Sequence, residues 1–435
     1  MRIHFIGIGG IGVSALAQHY LNQGHQVSGS DLVISEITEL LKKKGAKILI
    51  GRHKKSNLNK NLDLVVYSPA VQANNPELQA AQKLNLKILS YPQALGELTQ
   101  DYLTIAVCGT HGKSTVTAMI GLLLTKAKLD PTVIVGTKLK EFGNSNYRAG
   151  KSQFLVIEAD EHFASFLNYS PDIIVLTSLD PDHLDYYKNF KNYFNAFKQF
   201  ISRLSFSGIL VANKDDQDIV QLQKQIVQLP IKIKNYSLSQ PESKKLRKIL
   251  KIPGEHNVAN SLAVLTIARL LKIPNKITFY TLSQYRGAWR RFEELELKIK
   301  NLKLKIINDY GHHPAEIKAT LEAARQKYFD KKIWCVFQPH QYQRTYYLFN
   351  DFVKVFQHCP IDQVIITDIY SVAGRENPQI KAKVNAQKLV KKIARENVIY
   401  LKKNKILSYL QKNFSHFNIL IIMGAGDIYS LSKHF

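Results

Sequence analysis

Ala106-Val-Cys-Gly109-Thr110-His111-Gly112-Lys113-Ser114-Thr115 joins an apolar run to a long apolar helix pattern, and the reading of the chain starts there. Leu103 to Val107 reads as a short strand, the glycines as a turn, and Lys113-Ser114-Thr115 as the opening of a helix. Strand, turn and helix in this order are the context in which Gly-Lys-Ser holds phosphate. Gly109 and Gly112 let backbone N–H groups close around phosphate oxygens with no Cβ in the way. The helix N-terminus adds unpaired N–H donors and a positive dipole end. Lys113 can reach the β- and γ-phosphates of a nucleotide, and the Ser114 hydroxyl can hold Mg²⁺. Val107 stands where the common form of this loop has its first glycine.

Downstream, strands are expected at Thr132–Val135, Phe154–Glu158, Ile173–Thr177 and Ile209–Ala212, with helical stretches between them. Such alternation gives a mostly parallel sheet, here spanning residues 99–289. Two strand ends are charged: Glu158-Ala-Asp-Glu161, and Asp180-Pro-Asp182-His183-Leu-Asp185. Alone, Glu158 would read as a capping carboxylate and His183 as a turn histidine. Ligands of open α/β sheets lie beyond the carboxyl ends of the strands, so both are expected at the metal and γ-phosphate with Ser114. Asn257 and Asn260 share a helix face at i, i+3, where two amides could meet a purine or ribose.

Upstream, residues 1–98 read as a small α/β domain. The strand Ile3–Ile8 runs into Gly7-Ile-Gly9-Gly-Ile-Gly12 and the helical run Val13–Leu21, and a second strand ends at Asp31. That is a dinucleotide-type fingerprint with its acid in place. It would suggest NAD or FAD, except that a dehydrogenase needs no second phosphate loop; a diphosphate on another nucleotide fits better. Ser68 closes a further strand end. Residues 290–435 repeat the pattern, with strands at Leu304–Asn308, Trp334–Phe337, Val364–Asp368, Val398–Leu401 and Ile419–Met423. Helices there are expected at Pro314–Lys327, Tyr347–Phe356, Ala386–Arg395 and Lys405–Lys412. His312 and His313 lack further ligands at zinc spacing.

The length of 435 residues suggests about three domains. Three widely spaced cysteines give neither a disulfide framework nor a metal set, which suits a reducing cytoplasm. The N-terminus enters a strand directly and does not read as a signal peptide. No run of about 18 apolar residues suggests membrane insertion. The net charge of +26 invites a nucleic-acid reading, but the lysines are spread along the chain and no nucleic-acid motif accompanies them. No nucleic-acid partner is expected, and a basic field would also attract nucleotides.

Gly7-Ile-Gly-Gly-Ile-Gly12, Gly109-Thr-His-Gly-Lys-Ser114, Glu158-Ala-Asp-Glu161, Asp182-His-Leu-Asp185, His256-Asn-Val-Ala-Asn260, Arg290-Arg-Phe292, Asp309-Tyr-Gly-His-His-Pro314, Phe337-Gln-Pro-His340 and Gly424-Ala-Gly-Asp-Ile428 occur in one order along the chain. In these stretches the sequence resembles the Mur ligase family, most of all its alanine-adding members. The resemblance implies a Rossmann-like N-terminal domain for a UDP-sugar, a P-loop central domain for ATP and Mg²⁺, and a Rossmann-like C-terminal domain for the amino acid. It implies that the lactyl carboxylate of UDP-N-acetylmuramate attacks ATP and that the acyl phosphate then meets L-alanine. It implies catalytic roles for Lys113, Glu158, His183 and Arg291, and metal ligation by Ser114, Glu158 and His183. ATP would be met by Gly109, Thr110, His111, Gly112, Lys113, Ser114, Thr115, Asn257, Asn260, Arg291 and Asp309. The UDP-sugar would be met by Gly9, Gly12, Asp31 and Ser68, and the amino acid by Tyr310, His312 and Arg344. A monomer or homodimer is expected. His162-Phe163 and Gln341 depart from the family pattern.

Rival readings are a ligase that attaches a recycled tripeptide, a dinucleotide-binding oxidoreductase, and a basic nucleic-acid ATPase. ATP turnover that needs a sugar nucleotide separates the first from the other two.

Overall fold

The computed structural model describes every residue except 300–301 and 373–375. The chain forms two compact units. One comprises Met1–Leu179, Phe194–Ser237 and Ala263–Thr281; the other comprises Asp180–Tyr193, Leu238–Leu262 and Leu282–Phe435.

The first unit holds two sheets. The first sheet contains β1 (Arg2–Ile6), β2 (Gln26–Asp31), β3 (Lys47–Ile50), β4 (Leu64–Tyr67) and β5 (Ile88–Ser90), all parallel in the order β3-β2-β1-β4-β5. Helices α1 (Ile11–Asn22), α2 (Glu36–Lys43), α3 (Pro76–Lys83) and α4 (Tyr91–Thr99) connect it. Side chains alternate across a strand, so β1 sends Ile3 and Phe5 to one core and Ile6 to the other. β4 does the same with Leu64 and Val66 against Val65. His4 therefore shares the face of Ile6 and is fully buried.

The second sheet contains β6 (Leu103–Cys108), β7 (Thr132–Leu139), β8 (Ser145–Arg148), β9 (Phe154–Glu158), β10 (Ile173–Leu176), β11 (Ile209–Asn213) and β12 (Lys232–Tyr236), in the order β12-β11-β10-β6-β9-β7-β8. α5 (Lys113–Lys126) follows β6. The sequence reading expected helix between β7 and β9, but β7 and β8 form an antiparallel pair there. The reading also missed β12, whose Lys-Ile-Lys-Asn pattern suits a charged edge strand. α1 lies against β8 through buried amides: Gln18 Nε2 donates to Asn146 Oδ1 (2.8 Å), and Asn146 Nδ2 donates to Ser14 Oγ (2.9 Å).

The second unit holds β13 (Glu293–Ile299), β14 (Leu302–Asp309), β15 (Ile333–Phe337), β16 (Gln363–Ile366), β17 (Val398–Tyr400) and β18 (Ile419–Met423), in the order β13-β14-β18-β15-β16-β17. All pair in parallel except the antiparallel hairpin β13–β14, whose first strand the sequence reading lacked. Ile307, Cys335, Phe337 and Ile421 face one core; Ile306, Trp334, Val336 and Ile422 face the other. The helix expected at Tyr347–Phe356 is observed at Phe349–His358, preceded by a separate short helix, Tyr342–Tyr347, that the sequence did not suggest. The chain is thus α/β throughout, with three doubly covered sheets as expected.

Candidate active site

The phosphate-type loop of the first unit is built by two buried elements. β6 is buried from Thr104 to Cys108, and α5 is buried on every face from Ser114 to Leu124, as a helix apolar all round must be. Between them, Gly109 takes φ +126° and Gly112 takes φ +82°. A Cβ on Gly109 would sit 2.3 Å from Thr177 Oγ1. The loop is clamped by the residues that follow β10. Thr177 Oγ1 lies, as donor, 3.0 Å from the Cys108 carbonyl and 2.5 Å from that of His111. The Thr110 N–H donates to the Ser178 carbonyl (3.0 Å), and the His111 N–H donates to Ser178 Oγ (2.9 Å).

Lys113 Nζ donates to the carbonyls of Gly109 (2.7 Å) and Thr110 (3.1 Å) and to Glu161 Oε1 (3.0 Å). Burial pulls an ammonium down, but the carboxylates of Glu161, Asp160 and Glu158 outweigh it, so Lys113 stays charged. Burial pushes the Glu161 carboxyl up, to about 7, against the pull of Lys113. Ser114 Oγ donates to Glu158 Oε1 (3.0 Å), and the Gly136 N–H donates to Glu158 Oε2 (2.8 Å). A Cβ at Gly136 would meet the tip of that carboxylate at 2.8 Å, so a larger residue there would push the Glu158 side chain aside. A hydroxyl and a part-exposed carboxylate side by side are hard oxygen donors of the kind Mg²⁺ takes. Thr115 is buried in the first turn of α5.

A cavity of about 570 Å³ opens at the strand ends of the first sheet. Gly7, Gly10, Asp31, His53, Ser68 and Asn74 are among its lining residues. Of the residues expected at a UDP-sugar, Asp31 and Ser68 line it. The Gly9 N–H is instead held by Asp31 Oδ2 (2.8 Å), and Gly12 abuts the Tyr91 ring, where a Cβ would be 2.7 Å from Cζ.

The second unit carries the remaining expected residues. Arg344, 7% exposed, gives Nε (3.2 Å) and Nη2 (3.1 Å) to Asp182 Oδ1, and its Nη1 lies 3.2 Å from His340 Nδ1. Burial pushes Asp182 up, but Arg344 and the histidines around it hold its carboxyl well below the usual range. His183 is left-handed (φ +52°); its N–H donates to Asp182 Oδ1 (2.7 Å). His312 is pushed down to about 4 by burial and then by Arg344. The Glu316 carboxylate accepts the His312 N–H (3.0 Å) and lies 3.6 Å from Arg291 Nη1. Asp309, pushed up by burial, accepts the N–H groups of Phe292 (2.8 Å) and Gly311 (2.7 Å). The Tyr310 ring lies under two guanidinium carbons, Arg290 Cζ at 4.8 Å and Arg291 Cζ at 5.1 Å. Asn257 Nδ2 donates to the Pro253 carbonyl (2.7 Å), and Asn260 Nδ2 lies 3.4 Å from Asn257 Oδ1.

Thr177, Ser178 and Gly136 escaped the sequence reading because their hydroxyl, carbonyl and N–H groups act on partners far away in the chain. A Thr-Ser pair after an apolar strand was the available signal. His53 also escaped it, although it stands shortly after β3.

Family models match along the chain: Mur ligase family, catalytic domain, at residues 2–103; Mur ligase middle domain at 107–268; and Mur ligase, glutamate ligase domain, at 290–426. A UDP-N-acetylmuramate–L-alanine ligase of Acetivibrio thermocellus is 40% identical over 100% of this chain and 95% of its own. The enzyme of that name from Aquifex aeolicus is 40% identical over 100% of this chain and 97% of its own. The solved UDP-N-acetylmuramate-alanine ligase of Thermotoga maritima superposes with a TM-score of 0.80 at 28% identity, covering 100% of this chain and 98% of that one. With motifs, fold and full-length similarity in agreement, the chain belongs to the Mur ligase family.

Proposed function

We propose that this ligase joins L-alanine to the lactyl carboxylate of UDP-N-acetylmuramate with the cleavage of ATP. The observation that carries the reading is the 40% identity, over the whole chain, to two ligases named for that reaction. We assign the sugar nucleotide to residues 1–98, ATP to 99–289 and the amino acid to 290–435. A carboxylate and an amine do not condense at neutral pH, so an oxygen must first be made a leaving group. The lactyl carboxylate attacks the γ-phosphorus, releasing ADP and leaving an acyl phosphate. The neutral amine of alanine attacks the acyl carbon, phosphate departs, and the ammonium nitrogen loses its extra proton to give the amide.

The residues fit these steps. Charge that builds on the transferring phosphoryl group needs fixed cations and N–H donors. The clamped glycine loop supplies the donors. Lys113 is held on the carbonyls of Gly109 and Thr110 and turns toward the γ-phosphate. Ser114 and Glu158 would hold Mg²⁺, which would neutralise phosphate charge. Arg344 is assigned to the alanine carboxylate, which it pairs with in fork geometry as it now pairs with Asp182. Because ATP and a nucleotide precursor are both consumed, we place the reaction in the cytoplasm. Among the described residues, no helix is long and apolar enough to cross a membrane.

Phosphate release from the purified protein tests the reading, with ATP and Mg²⁺ present and the other substrates added singly and together. Release that needs both UDP-N-acetylmuramate and L-alanine is the expected result. Release with the tripeptide in place of alanine would move the assignment to the recycling ligases, and release without any sugar nucleotide would overturn it.

A further inference from the structure

Behind the nucleotide cavity lies a buried ionic cluster that the ligation chemistry does not use. Glu77, in the first turn of α3, is fully buried. Its Oε2 accepts from Ser30 Oγ (2.6 Å) and lies 3.2 Å from His4 Nε2. Its Oε1 accepts from Asn57 Nδ2 and lies 3.2 Å from His53 Nδ1. Burial pushes this carboxyl up, but the hydrogen bonds from His4, Ser30 and Asn57 prevail and bring it down to about 2. Glu77 is therefore a carboxylate at neutral pH, in a place where a carboxylate is costly unless fully paired.

His53 is the member of the cluster that reaches the cavity; its side chain is 13% exposed, whereas His4 and Glu77 are sealed. Its Nδ1 faces Glu77 and, at 3.1 Å, Ser30 Oγ. A carboxylate on Nδ1 selects the Nδ1–H tautomer and leaves Nε2 as the nitrogen free to meet a ligand. The groups that face His53 are few. Glu77 comes from α3 and Ser30 from β2, with His4 of β1 behind Glu77. Asp31, at the end of β2, lines the same cavity but is tied to the Gly9 N–H. Arg52, Lys54 and Lys55 beside it in the chain are exposed.

We propose that Glu77 is a positioning residue, which fixes His53 at the cavity wall and lets it take up a proton when the diphosphate of a UDP-sugar binds. The proposal rests on the reading of this cavity as the sugar-nucleotide site. A negative diphosphate in the cavity and a carboxylate behind the ring both favour the imidazolium over the neutral ring. Binding then draws a proton from solution, and affinity falls as pH rises.

Calorimetry of the full-length protein with UDP-N-acetylmuramate, near neutral pH in buffers of different ionisation enthalpy, counts that proton. The ligand's diphosphate diester and lactyl carboxylate stay ionised there, so the count belongs to the protein. The expected result is net proton uptake by the wild type, lost in both His53→Gln and Glu77→Gln, with affinity lowered roughly tenfold in each. His53 sits at the surface of the cluster, so His53→Gln decides the matter if Glu77→Gln does not fold. Binding without proton uptake, or equal uptake in His53→Gln, would overturn the proposal and leave the cavity's assignment standing. No binding of the sugar nucleotide at all would overturn the assignment itself.

Discussion

Lys113 is held by two loop carbonyls and a buried carboxylate before any nucleotide arrives. Its charge is stabilised in place by Glu161, and one of these three bonds would be exchanged for the γ-phosphate. Lys113→Ala is therefore expected to lower kcat by on the order of 100-fold or more while the fold persists, measured by phosphate release and thermal melting. Gly109→Ala has a different signature. It forces a Cβ into Thr177 Oγ1 at a φ that alanine resists, so ATP binding should fail along with stability. Arg344 is the third case. Its pair with Asp182 is buried, so Arg344→Ala strands a carboxylate and should cost about 3 kcal/mol in unfolding free energy, besides raising the KM for alanine. An apolar replacement of both residues should recover much of the stability and none of the alanine affinity; a double-mutant cycle with denaturant melts reads this. That Lys113, Ser114 and Glu158 stand close together was legible, because the glycine loop and the charged strand end both follow apolar strands. Thr177, Ser178 and Glu77 were not, since their roles come from distant backbone and from burial that one sequence does not display.

At the scale of elements, α1 carries the glycine turn at one end and docks on β8 along its flank. The dock includes His19, 4% exposed, with Nδ1 3.3 Å from the Tyr147 hydroxyl. Burial, and then the nearby His25, bring His19 down to about 4. A histidine kept neutral in the fold takes a proton more readily once unfolded. Its contribution is complete above its ordinary value of about 6.5 and is lost as pH falls from there toward 4. Unfolding free energy should drop by up to about 3 kcal/mol across that window, and His19→Gln should flatten the slope in denaturant melts at each pH. The same elements mark what pattern reading reaches. Whereas β3, β5 and β12, parallel strands at the sheet edges, were not read, the inner parallel strands read correctly because their apolar runs are covered by packing. The β7–β8 hairpin did not, because Lys138, Asn144 and Asn146 break the apolar run. β12 and β13 are edge strands rich in charge, so no apolar signal marks them.

At the scale of the molecule, three sheets each present loops at the carboxyl ends of parallel strands, and each presents a different chemistry. The first offers a glycine turn and a cavity, the second a clamped phosphate loop with carboxylates, the third a cluster of imidazoles, guanidinium and tyrosine. This division was legible from the order of motifs, since each follows an apolar strand. The placement of residues 180–193 and 238–262 with the second unit was not, because it depends on packing rather than on local pattern. The positive charge of +26 is spread over this framework and suits a protein whose substrates are anions. The central claim is that the lactyl carboxylate itself is phosphorylated. The direct test is to label both carboxylate oxygens of UDP-N-acetylmuramate with ¹⁸O and analyse the phosphate released with ATP and L-alanine. The account predicts that one labelled oxygen passes into phosphate for each amide formed; phosphate without label would contradict it.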